Sequence, residues 1–173
     1  MRKIFLSFLI LGLTISVLLS CKKGGFTPIS DNRPTTPVNV LNLYATYNVP
    51  VVAASVKDSV ITIQLGIPSS SSNKIKEITR VVYSNSISAA ATLLAAKVVN
   101  NTNVGIYKSN PIPGNGQTVT FTSSFPEYRQ ITSQTIPVPT STNALLNRYF
   151  HFLITLDDGT QIITEPVRVY VTQ

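Results

Sequence analysis

The fold of this 173-residue chain is decided by residues 150–171, which read FHFLITLDDGTQIITEPVRVYV. Apolar residues at 150, 152, 154 and 156 alternate with other residues, so they lie on one face of a predicted strand. The residues 157–160 follow as a turn, in which Asp158 and Gly159 can take the positive φ of a type I′ hairpin. The stretch therefore predicts an antiparallel hairpin with one buried face.

The return strand of this hairpin starts at Gln161 and is interrupted at Glu165-Pro166. Proline has no N–H for the ladder, so it predicts an edge or a bulge that splits the strand. Valines at 167, 169 and 171 then face inward. The alternation turns Tyr149 and Tyr170 away from the core, and these two residues are our candidates for a ligand-facing surface.

Further short β-type runs occur along the chain. They cover residues 38–45, 59–67, 75–83, 117–122 and 128–132, and most are bounded by Gly, Pro, Asn or Ser. The Ala- and Leu-rich run 89–99 follows Ser88, a good N-cap residue, and predicts a short helix; a covered strand is the alternative. Many short strands without β-α-β alternation predict an all-β chain, an antiparallel two-sheet sandwich over residues 38–173 with one short helix in a connection.

The N-terminal end carries a localisation signal. Arg2 and Lys3 precede a run of about 16 apolar or small residues, which is short of the ~20 that span a bilayer, so residues 1–20 are predicted to be a secretory signal. Leu18-Leu19-Ser20-Cys21 resembles the bacterial lipobox. The resemblance implies that Cys21 carries diacylglycerol and an acylated amino group, followed through residue 37 by a flexible tether rich in Gly and Pro.

The layout of lipobox, Pro/Gly tether and terminal hairpin resembles that of Bacteroidota lipoproteins with a single immunoglobulin-like domain of unknown function. The resemblance implies residence at the outer membrane, because Lys22 and not Asp follows the cysteine. The acidic stretch that marks surface export is lacking after Cys21, so the periplasmic face is favoured over the surface. Asp58-Ser59-Val60 resembles the O-glycosylation motif of these bacteria and makes Ser59 a possible glycosylation site.

Charge and rare residues exclude several kinds of function. The formal charge is +7, but from residue 38 onward nine scattered basic residues face six acidic ones, so no nucleic-acid partner is expected. One Cys and one His cannot form an internal disulfide or a structural zinc site, and neither a metal nor a cofactor is predicted. Asp157 and Asp158 are explained by the turn and His151 by a structural role, so no catalytic residue is predicted.

Three functional hypotheses follow. The first is a lipid-anchored, non-enzymatic binding or assembly module of the cell envelope, whose partner is an unknown envelope protein or a glycan. The second is an accessory glycan-binding lipoprotein of an outer-membrane uptake system, which an exposed tyrosine cluster would favour. The third is a hydrolase, which would require His151 to lie beside an acid and a hydroxyl in a pocket.

Overall fold

A computed structural model describes residues 34–95, 101, 103–140 and 144–173. The predicted signal sequence, Cys21 and the tether up to residue 33 lie outside the described residues. Within the described ranges, no helix is long and apolar enough to cross a bilayer.

The described elements are almost all strands. In chain order they are β1 (Asn39–Val40), β2 (Ala45–Thr46), β3 (Pro50–Ser55), β4 (Val60–Gly66), β5 (Ile75–Ser84), α1 (Ala90–Leu94), β6 (Val104–Lys108), β7 (Ile112–Pro113), β8 (Thr118–Ser124), α2 (Phe125–Thr132), β9 (Tyr149–Leu156), β10 (Gln161–Ile163) and β11 (Arg168–Thr172).

These strands form three open sheets. The first has the order β1-β4-β8, the second β10-β9-β5-β6 with β7 also beside β5, and the third β11-β3-β2. The described pairs are antiparallel except for β11 and β3, which run parallel over five residue pairs. The predicted all-β sandwich is confirmed, but its strands form three sheets where two were predicted, and the β3–β11 pair is parallel where all pairs were predicted to be antiparallel.

The core lies between the inward faces of these sheets. Strand β4 contributes Ile61, Ile63 and Leu65, all fully buried, as the predicted alternation requires. An aromatic cluster fills the centre, where the ring of Phe121 lies 5.4 Å from the rings of both Phe150 and Phe152. Each such buried side chain contributes about 1.5–3 kcal/mol relative to its exposed state, so this cluster holds the sandwich together.

The predicted hairpin is confirmed as the antiparallel pair β9–β10, but its turn differs from the prediction. Gly159 alone in the turn has positive φ, at 86°. The Gly159 N–H donates to Leu156 O at 3.1 Å, and the Leu156 N–H donates to Thr160 O at 2.9 Å. The type I′ prediction is therefore wrong: three residues form the loop, with glycine in the left-handed position that such loops require.

Pro166 splits the return strand, as predicted. Strand β10 stays with β9, whereas β11 leaves that sheet and joins β3 in the parallel ladder. Val167, Val169 and Val171 are all fully buried. Val167 still exchanges two hydrogen bonds of 2.8 Å with Phe150 of β9, so the chain changes sheets between Val167 and Arg168, directly after the proline that cannot donate to a ladder.

The predicted strand at 128–132 is wrong, because these residues belong to helix α2. Ser124 is the N-cap, its Oγ accepts the Glu127 N–H at 3.2 Å, and Pro126 lies in the first turn. The helix ends at Thr132, and its C-cap Ser133 is a left-handed residue whose N–H donates to Arg129 O. Capping and proline position outweigh the short β-type pattern here.

The predicted helix in 89–99 is confirmed as α1, although residues 96–100 lie outside the described part of the chain. Ser88 is not its N-cap; Ala89 is, without a side-chain hydrogen bond. The predicted strand 38–45 is divided into β1 and β2, and the sequence did not predict β3, β6 or β7.

Residues 85–95, which we call the outer flap, lie over the outward face of the second sheet. Leu93 is buried against Val82 of β5 and Leu153 of β9. The Arg80 Nη1 atom donates to Leu93 O at 2.8 Å and to Ala95 O at 2.7 Å, and so satisfies carbonyls at the end of α1. The Arg80 side chain of β5 thus holds the outer flap, which includes α1, against the second sheet.

Candidate functional site

The structure brings both sequence candidates, Tyr149 and Tyr170, onto one outward strip with Arg168 and Tyr44. The Arg168 guanidinium carbon lies 4.9 Å from the centre of the Tyr149 ring. Tyr170 stacks with Tyr44, with 5.6 Å between ring centres and 13° between the ring planes. We call these four residues the tyrosine–arginine strip.

Strand alternation explains why the strip faces outward. Along β11 the buried Val169 and Val171 alternate with the half-buried Arg168 and Tyr170, so the latter two share a face. Tyr170 is paired in register with Ala53 of β3, whose side chain is small and exposed. The Tyr44 N–H donates to Val51 O of the same strand at 2.8 Å, which fixes the second ring beside the first.

Arg168 gives the strip its charge. Its Nη2 atom donates to Leu146 O at 3.0 Å, which holds the side chain over Tyr149. Its Nε atom is buried and has no hydrogen-bond partner in the part of the chain that the structure describes. A guanidinium held over the ring of Tyr149, together with tyrosine hydroxyls, can bind through ring faces, positive charge and hydrogen-bond donors at once.

The sequence named two of the four residues and missed the others. It grouped Arg168 with the scattered basic residues and Tyr44 with the tyrosines in general. The signal for Arg168 was available, because its position two before Tyr170 places both on one face of a strand. Tyr44 could not be assigned, since its contact with Tyr170 depends on the pairing of β2, β3 and β11.

His151 is buried, with 1% of its surface exposed, on the outward face of β9. Its Nε2 atom lies 3.1 Å from Ser86 O of the outer flap. Burial lowers the pKa of His151 below its ordinary value, although the bond to Ser86 opposes the shift. The imidazole thus contacts a backbone carbonyl, and this bond ties the flap to the sheet.

Asp157 and Asp158 serve the hairpin turn and its neighbour. The Asp157 Oδ1 atom accepts the Lys74 N–H at 3.0 Å, and the Asp158 Oδ1 atom accepts the Thr160 N–H at 2.8 Å. This second bond holds the pKa of Asp158 below its ordinary value. Both carboxylates therefore accept hydrogen bonds from backbone N–H groups and stabilise the turn and the adjoining loop.

Ser59 lies immediately before β4 with a left-handed φ of 55°. Its side chain is half-buried, and Oγ donates to Val56 O at 2.9 Å. Attachment of a sugar replaces the hydroxyl proton and therefore requires this bond to break. O-glycosylation of Ser59 stays a prediction.

A buried polar chain that the sequence did not predict links β6, β8 and α2. The Tyr107 hydroxyl bonds to Ser123 Oγ, which donates to Glu127 Oε2 at 2.7 Å. Lys108 Nζ lies 3.2 Å from Glu127 Oε1. Burial raises the pKa of Tyr107. Ser123 is nearly inaccessible to solvent, so these hydrogen bonds fit a structural role in joining β6 to α2.

A shallow polar groove of about 470 Å³ lies at the end of α2. Its lining comprises Pro126, Arg129, Gln130, Ser133, Gln134 and Thr135. It is open to solvent, so only a loosely enclosed polar ligand would fit. Among the described residues, no three His, Cys, Asp or Glu side chains gather where they could hold a metal ion.

Comparison of the chain with models of protein families, with curated proteins and with solved structures found no match. The fold and the strip together define the class of protein: an all-β sandwich with an aromatic, cationic surface that spans the second and third sheets.

Proposed function

We propose that this chain is a lipid-anchored, non-enzymatic binding or assembly module of a bacterial cell envelope, and that the tyrosine–arginine strip contacts its partner. The strip is the observation that carries the proposal. Tyr and Arg dominate binding energies at interfaces because they combine large contact area with hydrogen bonding. The strip is mounted on paired strands, so little conformational entropy is lost when a partner binds.

The strand arrangement supports an immunoglobulin-like sandwich as the finer description of the fold. Strands β4 and β8 share one sheet, as do strands B and E of that architecture. Strands β5, β9 and β10 share another, as do strands C, F and G. The fold alone does not define a ligand, so the functional argument rests on the strip.

The anchor part of the proposal rests on the lipobox-like segment ending at Cys21 and on Lys22. Two or more acyl chains hold a protein stably at a membrane where one does not. We expect Cys21→Ala to release the protein from native membranes. Retention of that variant after a carbonate wash would contradict the anchor.

Orientation is tested on intact native cells. With the domain on the periplasmic face of the outer membrane, as proposed, added protease leaves it uncut until the outer membrane is permeabilised. Cleavage on intact cells would instead place it on the surface.

The strip is tested by a photo-crosslinking residue placed at Tyr44 in native cells, with Ile87 as the matched control. Both side chains are more than half exposed, but Ile87 lies in the outer flap. We expect an adduct from position 44 that weakens about tenfold with Tyr170→Ala, which corresponds to ~1.4 kcal/mol of binding free energy. An equal adduct from position 87 would show that the strip is not the contact surface.

The second candidate function is glycan binding for an outer-membrane uptake system. The stacked pair of Tyr44 and Tyr170 favours it, because Tyr44 is 57% exposed and offers an open ring face to a sugar. The test is a glycan array probed with the lipidated protein in detergent. We expect Tyr44→Ala to lose the bound glycans and Ile87→Ala to keep them; an array without bound glycans leaves the protein partner as the proposal.

A further inference from the structure

Three large apolar side chains next to the strip are exposed within seven residues of chain. Leu41 is 52% exposed, Leu43 48% and Tyr47 68%. Single exposed apolar residues are ordinary on protein surfaces, whereas three in one short segment make this segment a candidate contact site. We call residues 41, 43 and 47 the apolar edge. Tyr44 lies between them, but its ring stacks on Tyr170, so it belongs to the strip.

The apolar edge lies in an uncharged stretch of the chain. Residues 34–56 contain no Lys, Arg, Asp, Glu or His. The Asn42 amide is used by the sheet: its Nδ2 donates to Thr62 O at 2.8 Å and its Oδ1 accepts the Gln64 N–H at 2.9 Å. A surface of this kind enters a region of low polarity without the cost of dehydrating a charge.

The backbone of this edge is fixed before any contact is made. The Leu41 N–H donates to Gln64 O at 2.8 Å and the Tyr47 N–H donates to Val49 O at 3.3 Å. Leu41 also covers Gly66, where an added Cβ would lie 2.8 Å from its Cδ1. The side chains are therefore presented by the sheets, and contact requires little ordering of the chain.

We infer that the apolar edge rests in the head-group region of the membrane that carries the anchor. This inference rests on the proposed lipidation of Cys21, which precedes Leu41 by only twenty residues and keeps a lipid surface within reach of the edge. Tyrosine prefers the membrane–water interface, and leucine prefers the acyl boundary beneath it. A second copy of the chain and another protein are the competing occupants, and the experiment below separates them from lipid.

The chain contains no Trp, so a single introduced Trp reports its own surroundings. We would place it at Tyr47, with Thr120→Trp as the matched control, because Thr120 is exposed on the outward face of β8. The lipidated protein is reconstituted in phosphatidylethanolamine–phosphatidylglycerol vesicles, with and without brominated acyl chains. An interfacial side chain lies about 5–10 Å into the bilayer, so Y47W should shift to the blue and lose roughly half its emission to bromine. T120W should change in neither respect.

A second variant tests the edge itself. Leu43→Ser in the Y47W background should reduce the bromine quenching while the protein still floats with the vesicles. Leu43 is half exposed, so folding should survive, which the near-ultraviolet circular dichroism spectrum checks.

The outcomes separate this inference from the proposed anchor. Failure of Y47W and T120W to float with vesicles would overturn the anchor and the inference together. Flotation with equal quenching of both variants would overturn the inference alone. A blue shift of Y47W without bromine quenching would overturn the lipid contact and assign the edge to a second copy, because the vesicles contain this chain and no other protein.

Discussion

Gly114 shows how closely the backbone is packed where β5 and β7 meet. A Cβ at this position would lie 2.0 Å from the carbonyl oxygen of Ile75, which is part of the sheet and cannot rotate away. The Gly114 N–H meanwhile donates to Lys76 O at 2.8 Å. The site therefore excludes every side chain for steric reasons.

We expect Gly114→Ala to lower the free energy of unfolding by about 1–3 kcal/mol or more, since overpacking forces the backbone to move. Urea denaturation measures this change in the free energy of unfolding, provided that the dependence on urea concentration is the same for both proteins. Gly116→Asn is the control: Gly116 has a φ of 64° with open space around it, and Asn tolerates this region. Equal losses in the two variants would contradict the steric argument.

The single histidine predicts a pH dependence of stability. Burial lowers the pKa of His151 in the folded state below the ordinary 6.5. Between the two pKa values the unfolded chain binds more protons, so the free energy of unfolding falls as the pH drops below about 6.5 and levels off below the folded-state pKa.

We expect denaturant titrations between about pH 7 and pH 5 to show this decline in the natural sequence, and a smaller one in His151→Gln. Glutamine retains an N–H donor for Ser86 O but does not titrate. The same slope in both proteins would assign the decline to other groups.

Helix α1 is a short element that Leu93 attaches to the second sheet. Leu93 is fully buried against Val82 and Leu153, whereas its neighbour Leu94 is 59% exposed. The two leucines therefore provide a matched pair within a single helical turn.

We expect Leu93→Ala to lower the free energy of opening of the outer flap by about 2–5 kcal/mol. Leu94→Ala should change it by no more than ~0.5 kcal/mol. Hydrogen exchange of the amides of residues 85–95 measures the opening of the flap. Equal exchange rates in the two variants would show that Leu93 does not hold it.

The elements that sequence predicted best are those whose side-chain pattern is repeated. The hairpin of β9 and β10 follows from alternation over seven residues, and Pro166 marks the break between β10 and β11. Helix α2 differs from the strand predicted at 128–132, although Ser124, Pro126 and Glu127 match the sequence signature of a helix N-terminus. The β-type residues at 128–132 are outweighed by the Ser124 cap that precedes them.

The partners of the predicted residues could not be read from the chain. Strand alternation places Tyr149 and Tyr170 on the outside, but the Tyr44 stack depends on long-range pairing of β3 with β11. Three other features also depend on contacts between separate segments of the chain. They are the parallel pairing of β3 with β11, the packing of the outer flap on β9 and the Tyr107–Ser123 hydrogen bond. Local patterns carry no information about these contacts.

At the scale of the whole domain, the C-terminal segment closes the sandwich through Val167, which bridges β9, and through Val169 and Val171 of β11. We expect a chain that ends at Pro166 to lose the cooperative thermal transition, because it lacks these three buried valines and the five-pair ladder with β3. Removal of Gln173 alone should shift the midpoint by only a few degrees. A truncated chain that still melts cooperatively would show that the other sheets suffice.

The parallel pairing of β3 with β11 also determines how the domain resists tension. A pull that enters on the N-terminal side of β3 and is opposed on the C-terminal side of β11 acts along both strands in opposite directions. The five pairs are then loaded in shear and share the force, whereas an antiparallel hairpin pulled at its open end would unzip one pair at a time. If the domain is anchored through Cys21 as proposed and a partner holds its C-terminal side, tension would load this ladder in shear.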